Sequence, residues 1–210
     1  IEKAVLDQTT VLYRKFTDMI VNSMDLNVEA GTRITQTFDF LGAREVTASS
    51  SFDGAAIAAS DGDIMNGVSN VGRIAENGNP VASPNYARRL SLQVRNNLRE
   101  QMAIGTLGLI GVGAGDCDVT ATVSTYFGDN TLYAKFDGET TTNLNFRMEK
   151  ATDSVKQAYV HTLPKLKIES ADAPSGGRNQ DVMLEISLRA LKDSVTGTNY
   201  QIDAFDYYEA

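Results

Sequence analysis

Nucleophilic catalysis needs a nucleophile, a base and a group that orients the base. In this 210-residue sequence the only imidazole is His161 and the only thiol is Cys117. His161 shares strand parity with Val155 and Tyr159 just before Pro164, and no Gly-x-Ser-x-Gly elbow accompanies it, so a structural histidine is expected. Cys117 lies between Asp116 and Asp118. Carboxylates there would raise a thiol pKa, the wrong direction for a reactive thiolate. A lone cysteine also excludes an intramolecular disulfide and any multi-thiolate metal site. Asp61-Gly-Asp63 and Asp116-Cys-Asp118 are the best calcium fragments, but neither runs on into an EF-type loop with a distal Glu. The glycines between Gly105 and Gly115 lack Gly-x-Gly-x-x-Gly spacing, and no Gly-Lys-Ser/Thr follows them. They suit tight turns or close approach of strands or subunits. No cofactor and no catalytic or metal site is expected.

The charge balance is acidic: 19 Lys and Arg against 27 Asp and Glu give −8. A basic cradle for nucleic-acid phosphates, which works by counterion release, is therefore disfavoured. Arg88, Arg89, Arg95 and Arg99 form the one basic cluster, read as a salt-bridging face toward a neighbouring subunit. The longest apolar stretch, Met102–Ala114, is interrupted by glycines and falls short of the ~20 residues that span a bilayer. No secretory leader is evident. The chain begins with Ile1, which reads as a processed or truncated product.

The elements that position these residues are mostly strands. Period-2 alternation marks a strand with one buried face. It places Val119, Ala121, Val123 and Phe127 on one side of Asp118–Phe127, and Leu144, Phe146 and Met148 on one side of Thr142–Glu149. Gln180–Lys192 puts Val182, Leu184, Ile186, Leu188 and Ala190 inward. After the turn Asp193–Gly197, Thr198–Ala204 continues with Tyr200, Ile202 and Ala204, and the two runs read as a hairpin. Thr32–Phe40 turns Ile34, Phe38 and Phe40 inward, and Tyr13–Val28 reads as a strand pair or one bent strand. Val155–Leu163 and Lys165–Glu169 flank Pro164, a bend or edge signal. A short helix is expected over Thr131–Asp137, capped by Asp129 or Asn130 and stopped by Gly138, and Asn97–Met102 is a second helical candidate.

Thr47–Tyr86, rich in small and polar residues, reads as one long loop, and Ser170–Asn179 as a shorter one. Val28–Gly42 and Val112–Gly128 share a turn feeding a Thr-rich strand. A duplicated unit would account for this, as would two similarly patterned strands. Met183 and Leu191 sit on the polar parity of their strand, so both its faces are expected to be covered. A mainly β, self-assembling structural protein with one domain over 1–210 fits these features.

Particular stretches carry a resemblance. They are Ile1-Glu-Lys, Phe16–Met24, Ile34–Gly42, Leu92–Leu98 with Ile104-Gly105, and Val119–Phe127 leading into Asn130–Phe136. Leu163–Lys167, Gln180–Met183 and the terminal hairpin complete the set. Together the chain resembles the tail tube (major tail) proteins of long, non-contractile-tailed bacteriophages, with Asp18 standing where that family tends to carry Gly. The resemblance implies two packed antiparallel sheets, as a sandwich or partly open barrel, with a short helix and a long assembly loop.

It further implies stacked rings, hexameric or, for a duplicated chain, trimeric and pseudo-hexameric. The rings form a virion tail conduit assembled in the host cytoplasm, which DNA transits unbound. Tape-measure, tail terminator and tip proteins would be partners, with no membrane. An acidic lumen would repel phosphates, and Asp39, Glu149, Asp181 and Glu185 are the lumen-facing candidates. Thr47–Tyr86 and Ser170–Asn179 become inter-ring or inter-subunit loops, so deleting Ser51–Gly78 should leave a folded subunit that cannot polymerise. The rival readings are a contractile or secretion-system inner tube, a tail terminator or capsid decoration protein, and a two-carboxylate carbohydrate-active enzyme.

Overall fold

The computed structural model describes residues 1–6, 9–54, 64–151, 156–174 and 177–205. The first strands are β1 (Glu2–Val5), β2 (Leu12–Thr17), β3 (Ile20–Glu29), β4 (Thr35–Leu41) and β5 (Arg44–Ala48). They are followed by β6 (Val71–Glu76), β7 (Asn79–Pro80), β8 (Ala87–Arg95), β9 (Arg99–Gln101), β10 (Gly111–Gly113) and β11 (Asp118–Tyr126). Helix α1 (Thr131–Asp137) then precedes β12 (Thr141–Ala151), β13 (Lys156–Asp172), β14 (Met183–Ala190) and β15 (Gln201–Phe205). The protein is mainly β, and β1–β2, β2–β5, β6–β7, β6–β12, β9–β10, β11–β14, β12–β13, β13–β14 and β13–β15 all pair antiparallel. A ten-stranded sheet runs β4-β3-β8-β11-β14-β13-β12-β6-β7, with β15 also paired to β13. Beside it are a three-stranded sheet, β1-β2-β5, and a two-stranded one, β9-β10. No closed barrel forms among the described residues.

The chain divides into two compact units. The first comprises Ile1–Met24, Phe38–Asp63 and Arg95–Cys117. Within it Arg14 Nη2 donates to Glu45 Oε2 across β2 and β5 (2.7 Å), and this hydrogen bond holds the Glu45 carboxyl below its ordinary range. Asp18, between β2 and β3, has φ +54°. The left-handed turn that glycine would make is thus kept by a residue whose short polar side chain tolerates it.

The second unit comprises Asp25–Thr37, Ile64–Val94 and Asp118–Ala210. Its core is the apolar face of the large sheet: Val119, Ala121 and Val123 of β11, Leu144, Phe146 and Met148 of β12, and Leu184, Ile186 and Leu188 of β14 are all buried. These are the residues that alternation turned inward, because each strand has a neighbour on both edges and one face against other side chains. Helix α1 forms where expected. Asp129 Oδ1 accepts from the Thr131 N–H (2.9 Å), whereas Asn130, at the N-cap, makes no side-chain cap. The Thr131 N–H, then Asn85, hold the Asp129 carboxyl below its usual range.

Several expectations fail, each for a local reason. Thr47–Tyr86 is not one loop: β6 lies within it, pairs with β12 and buries Ala75 completely. Asn77 and Gly78, both at positive φ, form the two-residue turn joining β6 to β7, with Glu76 opposite Asn79. Asn97–Met102 is not a helix; Asn97 has φ +47° and Arg99–Gln101 pairs with Gly111–Gly113. Phe38 and Phe40 are exposed on edge strand β4 rather than inward, and so is Ile202 on β15.

β14 and β15 do not form a hairpin. Both pair with the same edge of β13, β14 with Leu166–Asp172 and β15 with Ala158–Thr162, so they run collinearly. Parity alone cannot separate a hairpin partner from a continuation of the same line. The loop between them carries the expected Asp193–Gly197 turn, where the Gly197 N–H donates to Asp193 O (2.9 Å). β13 itself runs straight through Pro164. The register slips there, Leu144 facing Leu163 but Thr142 facing Leu166. On the other edge Pro164 falls in the gap between β14 and β15, so neither neighbour needs the N–H it lacks.

Candidate assembly surfaces

Among the described residues no set of groups for covalent chemistry is drawn together. His161 is buried, stacked on Phe146 with ring centroids 4.6 Å apart and planes 3° apart. Its Nδ1 lies 2.6 Å from the Tyr200 hydroxyl, which the long β14–β15 loop returns to the sheet. Burial pulls the His161 pKa down to about 4 and pushes the Tyr200 hydroxyl up. The imidazole is therefore a neutral core group. Cys117 is exposed. Among the described residues no group of three or more His, Cys, Asp and Glu is placed to hold a metal; Asp61 and Asp63 lie outside those residues. Asp118 faces Arg189 (3.3 Å). No described helix is long and apolar enough to cross a membrane.

The histidine yields a pH prediction. In the unfolded chain it takes a proton near pH 6.5, in the folded one near pH 4. Between those values the unfolded state binds more protons, so acidification favours unfolding. The stabilisation is complete above pH 6.5 and is lost as pH falls toward 4, by about 3 kcal/mol in all. Urea titrations at pH 7 and pH 4.5 should show this fall, and the double variant His161→Phe/Tyr200→Phe should flatten it. Depressed carboxylates such as Asp129 and Asp193 act mainly below about pH 4, outside that window.

Polar contacts concentrate on the second face of the large sheet. On β11 it presents Asp118, Thr120, Thr122 and Ser124, and on β14 Met183, Glu185, Ser187 and Arg189, paired across the ladder from Thr120↔Arg189 to Tyr126↔Met183. Arg189 lies between two carboxylates, Nε 2.6 Å from Glu169 and Nη1 3.3 Å from Asp118. Lys167, opposite Arg189 on β13, lies 3.5 Å from Glu139. Arg89, Thr122, Ser124 and Glu185 line an open cleft of about 180 Å³.

The four lumen candidates are spread over β4, β12 and the run into and along β14. Glu185 is exposed on β14, and Asp181 is exposed in the segment leading into that strand. Glu149 lies two strands away on β12, with Arg147 Nε 3.0 Å from its Oε2. Asp39 belongs to the first unit, where it accepts from Ser23 Oγ (2.8 Å).

The arginines are also dispersed. Arg88 and Arg89 are successive residues of β8 and point to opposite faces. Arg95 ends β8 half-buried, and Arg99 on β9 donates to Ala114 O (3.2 Å). Met183 and Leu191 are half-buried at the two ends of the β14 segment.

Sequence reasoning missed one surface feature, the segment joining β9 to β10. Met102, Ile104, Leu107 and Ile110 are all strongly exposed there. The signal was present: the stretch is apolar without strand or helix period. Gly105 and Gly108 make its turns at φ +84° and +89°, as tight turns require.

Among the described residues these features make a sheet protein with open edges, an apolar projection and no reaction centre. No curated protein matches the chain. A sequence profile of phage tail tube proteins matches residues 2–190, almost the whole of it. The chain belongs to the phage tail tube protein family, and is accordingly a non-enzymatic, self-assembling structural component of the virion tail.

Proposed function

We propose that this chain polymerises as stacked rings, hexameric or pseudo-hexameric trimers, into the tube of a long non-contractile tail that DNA passes through without sticking. Its partners beyond itself would be the tape-measure protein that occupies the growing tube and the terminator and tip proteins at its ends. The observation that carries the reading is the charge pairing on the polar face of the large sheet. Arg189 is matched by Glu169 and Asp118, Lys167 by Glu139, and Arg89 shares its cleft with Glu185. Small hydroxyls of Thr122 and Ser124 fill the spaces between. Such a wall offers phosphates little unbalanced positive charge, while the net charge of −8 repels them.

The long edge strand β4, with Phe38 and Phe40 exposed, supports ring closure, since an unpaired edge is a template for a neighbouring strand. Under this reading Asp39, Glu149, Asp181 and Glu185 face the lumen. Arg88, Arg89, Arg95, Arg99, Met183 and Leu191 contribute to contacts between subunits.

Charge reversal tests the conduit. Glu185→Lys adds a cation beside Arg89 in every subunit of the polymer. Polymers of this variant should retain double-stranded DNA at low salt and release it as salt rises from about 50 to 200 mM, the mark of phosphate contacts. Wild-type polymers should retain almost none. Filter binding at both salts is the measurement, and a variant indistinguishable from wild type would remove Glu185 from the lumen.

A further inference from the structure

We propose that the β9–β10 tip, Met102–Ile110, of one subunit packs against the apolar cleft beneath helix α1 of a second copy, with the end of one aliphatic side chain seated in its mouth. The inference rests on the self-assembly reading above and names the surfaces that meet. The tip is built for presentation. A turn closes it through the Thr106 N–H to Ala103 O (3.3 Å), and the Ile110 N–H returns to Gln101 O (2.9 Å). The Leu109 N–H donates to Ala43 O (3.0 Å), which fastens the segment to the β4–β5 corner of its own unit. Its backbone is thus already ordered, and little conformational entropy remains to be lost on docking.

Yet Ile104 is fully exposed and Leu107 is 88% exposed, with Met102 and Ile110 also largely in water. No charged residue occurs from Met102 to Gly115. Four such side chains held at one tip approach the contiguous apolar patch of roughly 300–600 Å² that marks an interaction site.

The cleft matches that chemistry. Val81, Val123, Leu132, Ile168, Ile186 and Leu188 are among its lining, and its room of about 30 Å³ takes the end of one aliphatic side chain at its mouth. The charged groups at its edge, Glu76 and Lys135, are paired with each other, and Glu76 also accepts from the Thr142 hydroxyl. An aliphatic side chain entering there therefore leaves no lone charge buried. Tip and cleft are different surfaces of the same chain. A contact between different surfaces is heterologous, and such contacts propagate from copy to copy into rings or filaments instead of closing as a two-fold dimer.

The test uses the whole chain in a Cys117→Ser background. Leu107→Cys and Leu132→Cys are made as separate proteins, mixed at polymerising concentration and oxidised. A mixed disulfide dimer is expected, since bridging needs Cα atoms within about 7 Å. In parallel, Leu107→Asp should raise the concentration needed for sedimentable polymer at least about tenfold, with circular dichroism and melting unchanged because the side chain is in water. Leu132→Glu should do the same from the receiving side.

Absence of the mixed disulfide, or Leu107→Asp polymerising like wild type, overturns the tip-to-cleft contact and leaves the tube reading standing. If wild-type protein gives no polymer at any attainable concentration, the self-assembly reading fails, and this inference with it.

Discussion

Deleting Ser51–Gly78 is expected to yield a chain whose second unit does not fold cooperatively, contrary to the folded, assembly-defective subunit that a pure loop would predict. The deleted stretch includes β6, the neighbour of β12 in the large sheet. Its loss uncovers the β12 edge that Ala75 and Ile74 face at Asn145 and Phe146. It also removes Glu76, partner of Lys135 and of the Thr142 hydroxyl. The Asn70 clamp goes too, in which the Glu149 N–H donates to Asn70 O (2.7 Å) and Asn70 Nδ2 donates to Glu149 O (2.9 Å).

Each lost hydrogen bond is worth about 1 kcal/mol net, and stranded buried partners cost about 1–3 kcal/mol. Several together approach a whole domain's stability of about 5–15 kcal/mol. Far-ultraviolet circular dichroism with urea unfolding of the purified deletion protein decides the matter. A cooperative transition near the wild-type midpoint would show that β6 is dispensable.

The second large effect is expected at Phe146. Its side chain is almost fully buried and lies flat against His161, between Ile74 of β6 and His161 of β13 in the ladder. Phe146→Ala should destabilise the second unit by about 3–5 kcal/mol, the transfer and cavity terms together. It should also let water reach the imidazole, raising its pKa toward the ordinary value and weakening the pH dependence between 4 and 6.5. Urea unfolding at pH 7 reads the first effect, and histidine titration by NMR the second. A cost below about 1 kcal/mol would mean that the core closes over the gap.

What the sequence made legible follows from where each strand lies. β11, β12 and β14 show clean alternation because they are interior strands with one apolar face, and their inward residues were readable one by one. Two residues depart: Val182, read as inward, precedes β14 and is exposed, and Thr125 is buried on the apolar parity of β11, with no partner for its hydroxyl among the described residues. β6 escaped because a six-residue strand of mixed composition has little period to display. Asn77-Gly78 was the readable clue, being the pair that a tight hairpin turn demands.

Edge position inverted the reading of Phe38 and Phe40, since alternation reports which residues share a face and not whether that face is covered. The same limit governs the site. Surfaces that meet other copies of the chain are defined by those copies, so composition and strand parity gave only candidates for them. The apolar tip Met102–Ile110 was visible as a run of residues, but its exposure depends on the β9–β10 pairing that local propensity did not suggest.

The central claim is that this chain alone builds a tube. Electron microscopy of the purified protein at high concentration tests it most directly. The account predicts hollow tubes of uniform width with a regular axial repeat and six-fold symmetry, or three-fold if each subunit supplies two equivalent units. Discrete single rings that never stack, or a persistent monomer under those conditions, would contradict it.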